Sequence, residues 1–273
     1  MIAGFGDIAS RALPRLEARF RVIRLARRYG LDLDRPDSLA LEKVDEVLHL
    51  APPPRAGVED RRTANLLAAL EKGRILPARV VYVSTSGVYG DCAGERVDEV
   101  RALAPQTDRA KRRVDAERQL VAWCRARAVA LVILRVPGIY AADRLPLERL
   151  RSGTPVLRAE DDVYTNHVHA EDLVASLARA LEDDVPAGIF NICDDSEMRM
   201  GDWLDLVADR AGLPRPARIA RAAAAGRIAP ELFSFMSESR RLDNRRMKRQ
   251  LGIRLLYPTV HHGLENENPV GVD

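Results

Sequence analysis

The sequence predicts an α/β fold, a doubly wound parallel sheet carrying a smaller C-terminal lobe, and three observations carry that prediction. Gly4 and Gly6 fall in a G-x-G-x-x-A pattern directly after a short apolar run. Apolar runs end in small or hydroxyl-bearing residues at LAPPP (50–54), VVYVSTSGVYGD (80–91) and LRVPGIY (134–140). Helix-length amphipathic stretches separate these runs. Strands buried on both faces read as continuous apolar runs, and strands alternating with helices build a parallel sheet covered on both sides.

The composition is compatible with that class. The chain has 273 residues, 47% of them hydrophobic, enough for a large core and too apolar for disorder. Its formal charge of +3 is the difference between 43 basic and 40 acidic residues, a balance that argues against a nucleic-acid binder. Cys92, Cys124 and Cys193 are scattered and lack CxxC spacing, which points to a reduced, cytoplasmic compartment with neither a disulfide frame nor a metal site. No apolar run approaches the ~20 residues that span a bilayer, and the start has no signal-peptide pattern, so no membrane is expected.

Taken in order, each element has a reason. Gly4 permits a tight turn, Gly6 lets a pyrophosphate approach the backbone and Ala9 lets helix pack on strand. Asp7 and Ile8 are candidate cofactor contacts in this turn, ahead of a helix whose free N–H groups and dipole favour phosphate. The pattern reads as a Rossmann-type dinucleotide turn, with a glycine pair in an ordinary strand-to-helix turn as the competing reading. A helix over 10–18 leads to a second strand over 20–28 that ends in Arg27 and Arg28. NAD-binding folds carry an acid there for the ribose 2′-hydroxyl, whereas an arginine accommodates a 2′-phosphate, so the expected cofactor is NADP in preference to NAD. A solvated basic turn is the competing reading.

Residues 45–50 form the third strand, and the prolines that follow Ala51 cannot continue a ladder. Ala51 and Pro52 let the adenosine half of a cofactor pass over that strand end. Leu66, Leu67 and Leu70 set a helix over 58–72, stopped by Gly73. The fourth strand delivers Ser84, Thr85 and Ser86 to its carboxyl end, where open α/β sheets bind ligands. A polar loop over 91–104 and a long amphipathic helix over 106–127 follow, then a strand over 131–136 broken by Pro137-Gly138. From Leu145 the rhythm changes to short elements and turns. The expected division is a dinucleotide-binding domain over 1–140, rejoined by segments near 163–193, and a smaller substrate lobe from 141–162 and 194–273.

GFGDIA, LAPPP, VSTSGVYGD, LRVPGIY, NHVHAEDLV, FNICDD and RLDNRRMKRQLGIRLLYPT occur in that order over nearly the whole chain. Together they resemble the extended short-chain dehydrogenases/reductases, the nucleotide-sugar epimerase and dehydratase group, and the GFGDIA turn is most similar to the atypical subgroup. The resemblance implies chemistry by a Ser or Thr, a Tyr and a Lys. It implies Thr85, with Ser86 beside it, as the substrate-orienting hydroxyl, and Ala51, Pro52 and Pro137 as cofactor contacts. The family's Tyr, of ordinary pKa ~10, is activated by a Lys four residues on that also holds the nicotinamide ribose.

The chain departs from that pattern. A register pairing on Lys111 puts Thr107 in the Tyr slot. A register pairing on Glu117 puts Arg109 there and Arg113 in the Lys slot. Neither contains a tyrosine, and an arginine is always protonated. Lys111 or Arg113 then remains the candidate for the ribose, Tyr89 and Tyr140 are candidate substitute acids at the substrate, and the resemblance implies that Asn166, with Tyr164 and His167, faces the substrate lobe. Two functions follow: an NADP-dependent oxidoreductase or epimerase/dehydratase with a non-standard site, acting on a sugar nucleotide or related carbonyl or hydroxyl substrate, or a catalytically inactive NADP-binding sensor or scaffold. Members of the family often dimerise through a bundle that includes the Tyr-Lys helix, which implies a homodimer; the charges on that helix's outer face weigh against it.

Overall fold

The apolar runs become strands whose alternate residues are buried on opposite faces. The computed structural model describes residues 1–39, 41 and 43–266. Its central sheet contains β1 (Ile2–Ala3), β2 (Arg24–Leu25), β3 (Glu46–His49), β4 (Arg79–Thr85), β5 (Ala130–Val136) and β6 (Gly188–Asn191). They run parallel throughout in the order β2-β1-β3-β4-β5-β6. The helices are α1 (Asp7–Glu17), α2 (Arg61–Lys72), α3 (Asp108–Ala126), α4 (Leu147–Arg151), α5 (Ala170–Ala180), α6 (Met200–Arg210), α7 (Pro230–Phe235) and α8 (Val260–Asn266). None is long and apolar enough to cross a membrane.

One sheet face buries Ile2, Leu48, Val81, Val132 and Leu134 with Ala12 and Leu16 of α1 and Leu173 and Leu177 of α5. The other buries Ala3, Val47, Val80, Tyr82 and Ile133 with Leu66 and Leu70 of α2 and Leu120 and Trp123 of α3. Neighbouring residues on one strand therefore serve different helix layers, which is why the runs are continuously apolar rather than alternating.

Local chemistry sets the helix starts. The Asp60 carboxylate accepts from the Arg62 and Thr63 N–H groups, so α2 begins at Arg61 rather than 58. The Thr107 hydroxyl accepts from the Ala110 N–H and starts α3 at Asp108. α1 begins at Asp7, immediately after Gly6, three residues before the expected start. The expected strand over 20–28 contracts to Arg24–Leu25, followed by a 3-10 turn over Arg27–Tyr29 that Gly30 closes at φ +80°. β2 is an edge strand whose one neighbour, β1, offers two residues to pair with, so it has nothing further to extend along.

A second core holds Tyr140, Leu150, Val156, Leu157, Trp203, Leu204, Val207, Met236 and Val260. Short strand pairs stitch this lobe to the sheet: Gly138–Tyr140 with His167–His169, Tyr164–Thr165 with Met198–Arg199, and Arg96–Val97 with Arg241–Leu242. Arg96–Val97 lies in the expected 91–104 loop. Strand order reverses at β1, which has β2 on one side and β3 on the other; the crevice beyond the carboxyl ends at such a point is where open α/β sheets bind ligands.

Candidate active site

Two clefts open along the carboxyl edge of the sheet. The first, about 230 Å³, is lined by Gly4, Gly6, Arg27, Asp32, Ala51, Pro52 and Arg62, among others. Gly4 sits at φ +93°, and a Cβ on it would stand 2.3 Å from the Ala51 nitrogen. Its N–H donates to the Leu25 carbonyl, while the Leu50 and Ala51 N–H groups both donate to the Ala3 carbonyl, so three strand ends converge on this glycine. A Cβ on Gly6 would meet nothing within 4 Å, which leaves open space at the amino terminus of α1. That open cradle at a helix N-terminus fits the pyrophosphate of a dinucleotide. Such a cofactor supplies hydride transfer; Gly4, Gly6, Ala51 and Pro52 are the residues that would hold it.

Asp7, in the first turn of α1, accepts hydrogen bonds from Arg11 and Arg144. Burial works against its charge, but these bonds outweigh it and hold the carboxyl below the usual range. Ile8 packs half-buried against the core. Arg27 lines the cleft, whereas Arg28 stacks at its margin, its guanidinium 5.1 Å from the ring centres of both Tyr29 and the cleft residue Phe5. Sequence reasoning missed Asp32 and Arg62. Arg62 holds Asp34 through two bonds of 2.8 and 2.6 Å and donates to the Pro52 carbonyl at 2.9 Å, pinning the proline loop. Nothing in the sequence around it announces that role.

The second cleft, about 340 Å³, brings together Thr85, Ser86, Pro137, Tyr140, Tyr164, Asn166 and His167 with Arg109, Trp203, Phe235, Glu238 and Arg240. Thr85 ends β4, and its hydroxyl accepts from the Gly87 N–H at 3.3 Å. Pro137, expected at the cofactor, lines this cleft. Tyr140 is buried in the wall, donating to the Thr259 carbonyl at 3.3 Å. Asn166 spends its amide on the backbone of the Arg241–Leu242 strand, donating to the Arg240 carbonyl at 2.9 Å and accepting from the Leu242 N–H at 2.8 Å. It therefore fixes the cleft wall. Burial pushes the His167 imidazole down to about 3, so it is neutral at physiological pH.

Two expected residues stand elsewhere. Tyr89 is 1% exposed and lies behind the Ser86–Tyr89 turn, not in the cleft. It donates to Asn191 Oδ1 at 2.7 Å and accepts from Arg135 Nη1 at 3.0 Å. Burial pushes its pKa up to about 12. The same network pairs Arg135 with Glu117 at 2.7 Å, and Ser84 donates to Glu117 at 2.5 Å. A tyrosine directly after an apolar run and a glycine gave no hint of this, since the partners come from α3, β5 and β6. Lys111 is exposed and paired with Asp108 at 3.2 Å, away from the cleft.

The two sequence registers are thereby separated. Thr107 is a helix cap and Lys111 faces outward. Arg113 instead donates to the Val83 carbonyl at 2.9 Å and the Tyr82 hydroxyl at 3.1 Å, and Arg109 lines the cleft with Thr85 and Ser86. A larger hollow of about 430 Å³ lies at the opposite, amino ends of β1 and β3, against Met1, Glu46 and Leu181, away from the carboxyl edge.

Comparison with known proteins agrees with this geometry. The model of the family described as "NAD dependent epimerase/dehydratase family" matches residues 8–193. The chain is 27% identical to a GDP-6-deoxy-D-mannose reductase from Pseudomonas aeruginosa, over 70% of this chain and 74% of that protein. A functionally unknown conserved protein from Silicibacter pomeroyi superposes with a TM-score of 0.78 at 27% identity, covering 97% of this chain and 95% of the other. The RMD protein from Pseudomonas aeruginosa, solved with NADPH, superposes with a TM-score of 0.73 at 19% identity, covering 96% and 95%.

Proposed function

Because the chain belongs to the NAD dependent epimerase/dehydratase family, we propose that it binds NADP in preference to NAD and acts as an oxidoreductase or epimerase/dehydratase on a sugar nucleotide. The observation that carries this reading is that a crevice at the Gly4–Gly6 turn and a cleft holding the Thr85 and Ser86 hydroxyls lie side by side along one sheet edge. Arg27 supports NADP: it lines the first cleft, where a 2′-phosphate gains a cationic partner. The name of the reductase relative supports a sugar-nucleotide substrate. In this reading Thr85 and Ser86 orient the reacting hydroxyl or carbonyl, Arg113 braces the end of β4 from below, and Tyr140, Trp203 and His167 form the wall against which the substrate lies.

The second reading, an NADP-binding sensor or scaffold without turnover, is favoured by one observation. The helix that carries the family's acid has no tyrosine, and Arg109 and Arg113 occupy the positions that face β4.

Calorimetric titration separates these readings. NADP is expected to bind about tenfold more tightly than NAD, a difference of ~1.4 kcal/mol, and Arg27→Ala to erase that preference. Equal affinities overturn the NADP assignment. Reduction or exchange of a sugar nucleotide that Thr85→Val slows by about 100-fold, the scale of losing an orienting group, supports the enzyme; tight NADP binding with no turnover on a sugar-nucleotide panel supports the sensor.

A further inference from the structure

We propose that Arg109 is a carboxylate-recognising residue, and that the sugar of this cleft's substrate carries a carboxylate beside Thr85 and Ser86. The inference rests on the sugar-nucleotide reading above. The cleft is lined by three guanidinium groups, Arg109, Arg144 and Arg240, and one carboxylate, Glu238. Arg240 is committed to Glu238, with both terminal nitrogens at 2.9 Å, and donates further to the Gly90 carbonyl. Arg144 is committed to Asp7. Arg109 makes no hydrogen bond or ion pair among the described residues; its guanidinium lies 4.0 Å above the ring of Phe235.

Its position is set by packing. The Thr107 cap fixes the first turn of α3, and Ala110 lies against the turn after Thr85, 3.8 Å from where a Gly87 Cβ would stand. Arg109 is thereby held beside the two hydroxyls. Desolvation at the cleft lowers its pKa more than the nearby Glu238 carboxylate raises it, while the side chain stays open to a ligand.

Chemistry selects the ligand. A guanidinium stays charged and cannot serve as the proton donor that a tyrosine would be at this point. Its planar fork matches a carboxylate through two parallel N–H bonds, each roughly twice as strong as a neutral one, whereas a sugar hydroxyl offers one neutral acceptor. One uncompensated cation at the reacting end thus favours a uronate over its neutral counterpart, and Arg109 acts in specificity and positioning.

The test compares nucleotide sugars that differ only in that group, UDP-glucuronate against UDP-glucose and GDP-mannuronate against GDP-mannose, by calorimetry on the full chain with NADP present. In one pair the acidic member is expected to bind at least ~10-fold more tightly, the scale of a charge-assisted pair. Arg109→Ala should remove that preference while changing the neutral sugar's affinity less than about twofold, and Arg109→Lys should retain part of it. Equal binding of acidic and neutral members overturns the inference and leaves the sugar-nucleotide reading standing. An equal loss for both members in Arg109→Ala also overturns it, because the diphosphate is then the partner. Binding of no nucleotide sugar overturns both.

Discussion

The two clefts on the carboxyl edge are built by different means. The first is made largely of backbone: Gly4 at a left-handed φ, Gly6 at a helix start, and the end of β3 at Ala51 and Pro52. Residues within about fifty positions of one another supply it. The second is made of side chains from segments spread between Thr85 and Arg240, and its walls depend on Asn166, Arg113 and the Arg135–Glu117 pair. Backbone geometry tolerates few substitutes, so the first cleft is written locally. Side-chain identity can change without moving the backbone, so the second has room to depart from the family's pattern.

That contrast can be broken from the first side with Gly4→Ala. The new methyl group must enter a left-handed backbone position and displace the Ala51 backbone, for a combined cost of roughly 2 to 6 kcal/mol from strain and overpacking. Loss of NADP binding together with a lower thermal midpoint is expected; a variant that binds NADP as well as the parent shows that the close approach is not needed.

The second side is tested by Glu117→Gln. Arg135 is then left 2% exposed without its counter-ion, and breaking a buried pair from one partner costs about 3 to 5 kcal/mol. The expected urea midpoint falls accordingly, and substrate affinity falls with it because a neutral amide oxygen holds Ser84 and Arg135 at the end of β4 less strongly than the carboxylate does. Lys111→Ala sharpens the comparison by doing little. An exposed i,i+3 pair with Asp108 contributes about 0.5 kcal/mol or less, and cofactor affinity should stay unchanged. A tenfold loss of NADP affinity in Lys111→Ala would return that residue to the ribose.

Much of the fold was legible in the residues. The runs at Val80 and Leu131 are apolar through their cores, which strands need when both faces are covered, and Gly4 marks a turn where a side chain cannot fit. Thr85 and Ser86 were legible as cleft residues because a strand's end must open at the sheet edge. Arg28 and Tyr89 were not, since which of two adjacent arginines lines a cleft depends on a 3-10 turn, and whether a tyrosine faces ligand or core depends on partners 46 and 102 residues away in the chain.

The sequence alone determined the layer order, the dinucleotide turn and the place of the hydroxyls, because these follow from local periodicity and from the steric demands of glycine and proline. Only the tertiary structure decided which register of α3 faces β4. Helical spacing permits either Lys111 or Arg113 to meet the strand. The choice falls to the Thr107 cap and to the buried pairing of Glu117 with Arg135, contacts between segments that no local pattern relates.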